Sequence, residues 1–215
     1  MADNGVALID SLAAGLTPVR HRTAWRDGMA FAALAVVEVA VYLALRGMRP
    51  DMPVAMGHMV FWWKAVSLLV LAVIGVATTI AALDPARSPR RGLRSLAVAA
   101  AVAVAVGWGV DAARGGSASL IARLDWRDGL DCIAFVIGCA LPALGALALL
   151  MRRGASTDPR GAATAAGAAA AAWGGVVFTL DCPHDDPFYV AVWFAAAIAI
   201  VMVFARLILP RLTRW

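Results

Sequence analysis

Charged residues are scarce in this 215-residue chain: only 15% are Asp, Glu, Lys or Arg, against about 25% in a typical soluble domain. Catalytic signatures are missing as well. There is no phosphate-binding Gly-Lys-Ser/Thr loop, no Ser elbow and no His-Glu-x-x-His pair. Three cysteines are present and none forms a Cys-x-x-Cys motif, which argues against a disulfide-exchange enzyme. No internal repeat stands out. The first apolar run starts late, contains Glu38 and lacks a small-residue cleavage site, so no cleavable signal peptide is expected. These absences point away from an enzyme and from a soluble fold.

What remains is apolar. Hydrophobic residues make up 62% of the chain, more than a soluble protein of this length can bury. The expected architecture is all-α, a bundle of six transmembrane helices. The spans read as Gly28–Leu45, Met59–Leu83, Leu96–Asp111, Ile133–Met151, Ala162–Leu180 and Tyr189–Leu209, each near the 17–25 residues that a bilayer requires. The third is short. The fifth is mostly Ala and Gly, which suits a helix inside a bundle, where small residues let backbones approach.

Arginine sets the expected orientation. Arg20, Arg22 and Arg26 precede the first span; Arg87, Arg90, Arg91 and Arg94 fill the second connection; Arg152, Arg153 and Arg160 fill the fourth; Arg206, Arg211 and Arg214 follow the last. The odd-numbered connections are less basic. Positive charge stays in the cytoplasm, so both termini are expected there and the odd connections outside. The net charge of +5 then reflects topology and not direct nucleic-acid binding.

Residues 1–26 are too few for a core. Leu8, Ile9, Leu12 and Leu16 recur at helical spacing, with Asp3 or Asn4 as an N-cap and Thr17-Pro18 as a stop. This predicts a short amphipathic cytoplasmic helix, marginal in isolation. It either lies on the bilayer or docks in a groove of a cytoplasmic partner. The chain thus divides into an arm, 1–26, and a membrane domain, 27–215.

The densest chemistry is Asp181-Cys182-Pro183-His184-Asp185-Asp186-Pro187-Phe188, between the last two spans. Two prolines stiffen it. Cys132, at the outer end of the fourth span, is expected on the same side at similar depth. A Cys132–Cys182 disulfide is one reading. A zinc- or cadmium-type site is the other, using Cys132, Cys182, His184 and one of Asp181, Asp185 or Asp186. A rigid turn with acids kept outside is the simplest alternative. Cys139 reads as a core residue. Lys64, a turn from Trp62-Trp63, reads as snorkelling outward. Glu38 lies mid-span, where a carboxylate needs a partner, and a structural pair with a neighbouring helix is expected. Asp111, Asp125, Asp128 and Asp131, interleaved with Arg114, Arg123 and Arg127, read as a self-neutralising loop. A small multispan metal-ion transporter, with Glu38 and Lys64 on its path, is the competing functional class.

Several segments together carry a resemblance: Leu-Ile-x-x-Leu-Ala at 8–13, Pro18-Val19, Arg-Pro-Asp at 49–51, Cys132 ten residues before Pro142, and Met-Arg-Arg-Gly-Ala at 151–155. The most specific is Asp-Cys-Pro-His-Asp-Asp-Pro-Phe-Tyr-Val-Ala-Val-Trp-Phe at 181–194, followed by the terminal Arg-Leu-Thr-Arg-Trp. The chain resembles the NrsF family of bacterial membrane anti-sigma factors over nearly its whole length. The resemblance implies an inner-membrane protein that sequesters an extracytoplasmic-function (ECF) sigma factor. It further implies that heavy metal or oxidant, acting on two outer cysteines, releases that partner. Carried over, those are Cys132 and Cys182, with Leu8, Ile9, Leu12 and Leu16 as the sigma-binding face. No resident cofactor is implied; a transient zinc- or cadmium-type ion would be the signal. His184 departs from the common pattern, where an acid is frequent after the Cys-Pro pair. On this reading the fourth span shifts relative to the last two when the thiols respond.

Overall fold

The computed structural model describes residues 10–11, 13–15, 23–113 and 123–213. Leu8, Ile9, Leu12 and Leu16, expected from the resemblance to bind the sigma factor, lie outside the described residues, as do Arg114 and Arg214. Asp10, Ser11, Ala13 and Ala14 are helical and exposed.

Among the described residues all regular structure is helical. Six helices are long and apolar enough to cross a membrane: α1 Ala24–Arg46, α3 Met59–Ala81, α4 Arg90–Ala113, α5 Trp126–Arg152, α6 Pro159–Phe178 and α7 Pro187–Leu212. A four-residue turn of helix, α2 Met52–Ala55, lies between α1 and α3. The chain is therefore a multi-pass membrane protein, and six traverses put the start of α1 and the end of α7 on one face.

Local chemistry explains the helix ends. Gly47 ends α1 with φ +79° and its N–H on the Leu43 carbonyl, a left-handed stop that glycine adopts without strain. Asp125, Asp158 and Asp186 cap α5, α6 and α7, each side chain accepting from backbone N–H groups of the first turn. Pro159 and Pro187 occupy first positions, where the missing N–H costs nothing. The third span runs longer than the apolar pattern suggests, because Arg90, Arg91 and Arg94 are already helical. Backbone groups near lipid must bond internally whatever side chains they carry. The fourth also starts earlier, at the Asp125 cap, so Cys132 lies about two turns inside α5.

The alanine-rich α6 is the central helix. Fifteen of its 20 residues are buried, against α3, α5 and α7. Its small side chains permit this. At Gly174 a Cβ would lie 2.5 Å from the Val136 carbonyl oxygen and 2.7 Å from the Ala140 nitrogen of α5. At Gly75 of α3 it would lie 2.8 Å from the Ala169 Cβ of α6. By contrast α1 buries only Phe31 and Ala35 of its 23 residues.

The close α5–α6 contact yields a paired test. Gly174→Ala places a methyl against backbone and is expected to destabilise by about 1–3 kcal/mol. Gly145→Ala, where nothing lies within 4 Å, is expected to be neutral or slightly stabilising. Thermal unfolding in detergent reads both; equal melting temperatures would contradict the packing.

Candidate functional site

The connection between α6 and α7 is held at almost every residue. Cys182 N–H donates to the Phe178 carbonyl (2.9 Å) and Arg49 N–H to the Leu180 carbonyl (3.1 Å). Asp181 accepts from Tyr42 Oη (3.3 Å) and Arg46 Nη2 (2.8 Å) of α1. Arg49 Nη1 donates to the Cys182 carbonyl (2.8 Å) and to Asp185 Oδ2 (3.0 Å). Lys64 Nζ donates to the His184 carbonyl (3.0 Å) and to Asp185 Oδ1 (2.9 Å). Arg123 binds Asp186 and Asp111 together.

The Lys64 and Arg49 pairs are not surface ion pairs. The Lys64 side chain is 0% exposed and that of Arg49 5%. Removing one partner of such a pair strands a buried charge, which costs more than any exposed pair contributes. Burial pushes the Asp186 carboxyl up, but hydrogen bonds from Arg123 and from the first amides of α7 outweigh it and hold it below the usual range. Arg49's hydrogen bond holds its other carboxylate, Asp51, down at about 2. The prolines make the loop stiff, and the cations fix where it sits.

Cys132 of α5 and Cys182 of the loop are both buried and unbridged. Their sulfurs and one ring nitrogen of His184 all lie within 4.8 Å of one another. Tyr189, on the first turn of α7, stacks on the His184 ring at 4.4 Å and 15°. Its hydroxyl lies 3.4 Å from Cys132 Sγ. Asp128, one turn before Cys132, reaches His184 Nε2 at 3.3 Å, and His184 Nδ1 is buried without a hydrogen-bond partner. Gly129 lets the Trp193 indole of α7 lie directly against α5 at this level. Hydrogen bonding from Cys132 pulls the Cys182 thiol down to about 6, against burial, with the Lys64 charge assisting.

The structure brings together Cys132, Cys182 and His184 from the sequence-derived set. Asp185 and Asp186 lie beside them but face Lys64, Arg49 and Arg123. Cys139 is half-buried further along α5 and outside the cluster. Glu38 has the expected structural partner on a neighbouring helix, accepting from Trp173 Nε1 of α6 at 3.0 Å. Two sequence readings need correction. Lys64 does not snorkel; it turns inward beneath the loop. The residues around Asp111 to Asp128 do not merely neutralise one another, since Arg123 and Asp128 reach across to the α6–α7 loop. Glu38 and Lys64 are thus engaged separately, and no observation favours the transport reading. A single lysine inside a span, with three acids in one loop beyond it, was the signal that could have revealed the clamp.

The arrangement can oxidise to a disulfide or ligate a thiophilic cation. A family model described as NrsF, negative regulator of sigma F, matches residues 12–215. No curated protein and no solved structure matches the chain.

The polarised thiol pair has a pH signature. In a Cys139→Ser background, thiolate absorbance is expected to rise with a midpoint near 6, well below the ordinary thiol near 8.5. Its folded-state pKa is depressed, so the associated stability is present at alkaline pH and is lost as pH falls from about 9 through 6. Cys132→Ser should move the midpoint upward. A single transition near 8.5 in both proteins would contradict the geometry.

Proposed function

The chain belongs to the NrsF family and is thus a negative regulator of a sigma factor; we propose that it is an inner-membrane anti-sigma factor for an ECF sigma factor, gated by Cys132 and Cys182. The observation that carries this reading is the convergence of two buried, unbridged thiols from separate elements. Heavy metal or oxidant is the signal. It acts as a stimulus, not as a resident cofactor, and the protein works by binding, without turnover.

Charge distribution supports the orientation. On the face opposite the thiols stand Arg26, Arg87, Arg90, Arg91, Arg94, Arg152, Arg153, Arg160, Arg206 and Arg211. On the thiol face Arg46, Arg49, Lys64 and Arg123 are each matched to carboxylates. This asymmetry favours a thiol face outside and termini in the cytoplasm. Residues 1–26 then form the sigma-binding arm, with Leu8, Ile9, Leu12 and Leu16 as its apolar face, and 27–215 the sensor.

A signal must cross the bilayer, and α1 is suited to carry it. This helix follows the arm in the chain, packs loosely, and is held by polar contacts: Tyr42 and Arg46 on Asp181, and Glu38 on Trp173. Asp181 precedes Cys182 directly. A loop that moves when its thiol reacts therefore loosens the hold on α1, and the two states differ in the contacts available to the arm.

The test is a pull-down of the cognate sigma factor from detergent extract. Wild type should lose the sigma factor on treatment with cadmium or a mild oxidant, and Cys132→Ser/Cys182→Ser should keep it. Retention by wild type under both treatments would sink the thiol gate. Deleting residues 1–17 should abolish capture without any treatment; undiminished capture would remove the arm from the interface.

A further inference from the structure

Thiol chemistry alone does not account for the histidine. His184 has one nitrogen on Asp128 and the other buried and unpartnered, while its ring is clamped face to face on Tyr189. An imidazole fixed by a carboxylate on one nitrogen and free on the other is the form that metal-ligating histidines take. The free nitrogen is Nδ1, and a His184 nitrogen lies within 4.8 Å of both sulfurs. Tyr189 serves both sides of the set, orienting the ring and touching Cys132 Sγ at 3.4 Å.

We infer that Cys132, Cys182 and His184 Nδ1 form a three-ligand site for a borderline-to-soft divalent cation of the zinc and cadmium class, with Asp128 and Tyr189 as positioning residues. This rests on the reading of the thiols as the signal-receiving pair and specifies which signal they take. The donor set selects the cation. Thiolates and imidazole suit zinc and its softer relatives, whereas magnesium and calcium require oxygens. The nearby oxygens of Asp185 and Asp186 are held by Lys64, Arg49 and Arg123. Three protein ligands leave a fourth tetrahedral position for water or an anion.

Binding has a mechanical consequence. Bond lengths of about 2.3 Å to sulfur and 2.0 Å to nitrogen imply ligand–ligand separations of roughly 3.5–3.8 Å in a tetrahedron. The set, now spread over as much as 4.8 Å, must draw in. The Cys182 and His184 carbonyls are those held by Arg49 and Lys64, so contraction pulls on both clamps. Ligation displaces the Cys132 proton, and that of any protonated Cys182, into solvent.

Cobalt(II) is the probe, titrated into the reduced full-length protein in detergent. Wild type should bind one ion, with thiolate-to-cobalt charge transfer and the intense d–d bands of tetrahedral coordination. Asp128→Asn should keep the charge transfer but bind about 10–100-fold more weakly. In a His184→Ala background the same substitution should have no further effect. Absence of charge transfer in wild type, or its survival in Cys132→Ser/Cys182→Ser, would overturn the thiol-metal reading itself. Tetrahedral binding in wild type with undiminished affinity in Asp128→Asn, or an equal loss in the His184→Ala background, would overturn only the positioning role. The sigma pull-down with oxidant alone is independent of all these results.

Discussion

A fully buried ammonium at the edge of a membrane bundle leaves little freedom to what surrounds it. Lys64 has no contact with solvent, and taking such a charge out of water costs several kcal/mol unless a counter-charge and hydrogen-bond acceptors are supplied. Asp185 and the His184 carbonyl supply them. That requirement brings the α6–α7 loop down over α3. Arg49 then reaches the same carboxylate and the Cys182 carbonyl. Once those two carbonyls are placed, the Cys182 side chain lies against Cys132. The thiol pair is therefore a product of charge pairing as much as of packing.

Packing supplies the other half. Cys132 is two turns into α5, and Cys182 follows the end of α6. The pair can meet only if α5, α6 and α7 run close together at this level. Glycine and alanine permit that: Gly174 admits the α5 backbone, and Gly129 admits the Trp193 ring. Larger residues at these points would separate the helices and with them the two thiols. The loosely packed α1 is the exception. It is fastened by a few polar contacts, which can be exchanged at lower cost than a buried apolar seam.

Much of this was legible in the chain itself. Six apolar runs gave six helices, and the Ala/Gly composition of the fifth anticipated a central position. The grouping of Cys132 and Cys182 on one side followed from counting spans. What could not be read was who pairs with whom. Lys64 and Asp185 are 121 residues apart, and Arg123 and Asp186 are 63 apart; no local pattern links them. A lysine near a tryptophan belt looks like a snorkelling residue until the helix facing it is known. The dense run from Asp111 to Asp128 likewise seemed self-sufficient, because its partners came from the far end of the chain.

The alanine-rich α6 has a further bearing on how the protein is made. It is the least hydropathic of the six spans, so its own transfer into lipid provides little driving force. Stability in the bilayer comes to it from α3, α5 and α7 closing around it. The place of α6 in the bilayer thus depends on its neighbours more than on its own apolarity. The thiol loop, which joins α6 to α7, is then assembled only in a chain whose insertion is complete. A chain in which α6 and α7 are not both in place therefore has no organised thiol pair.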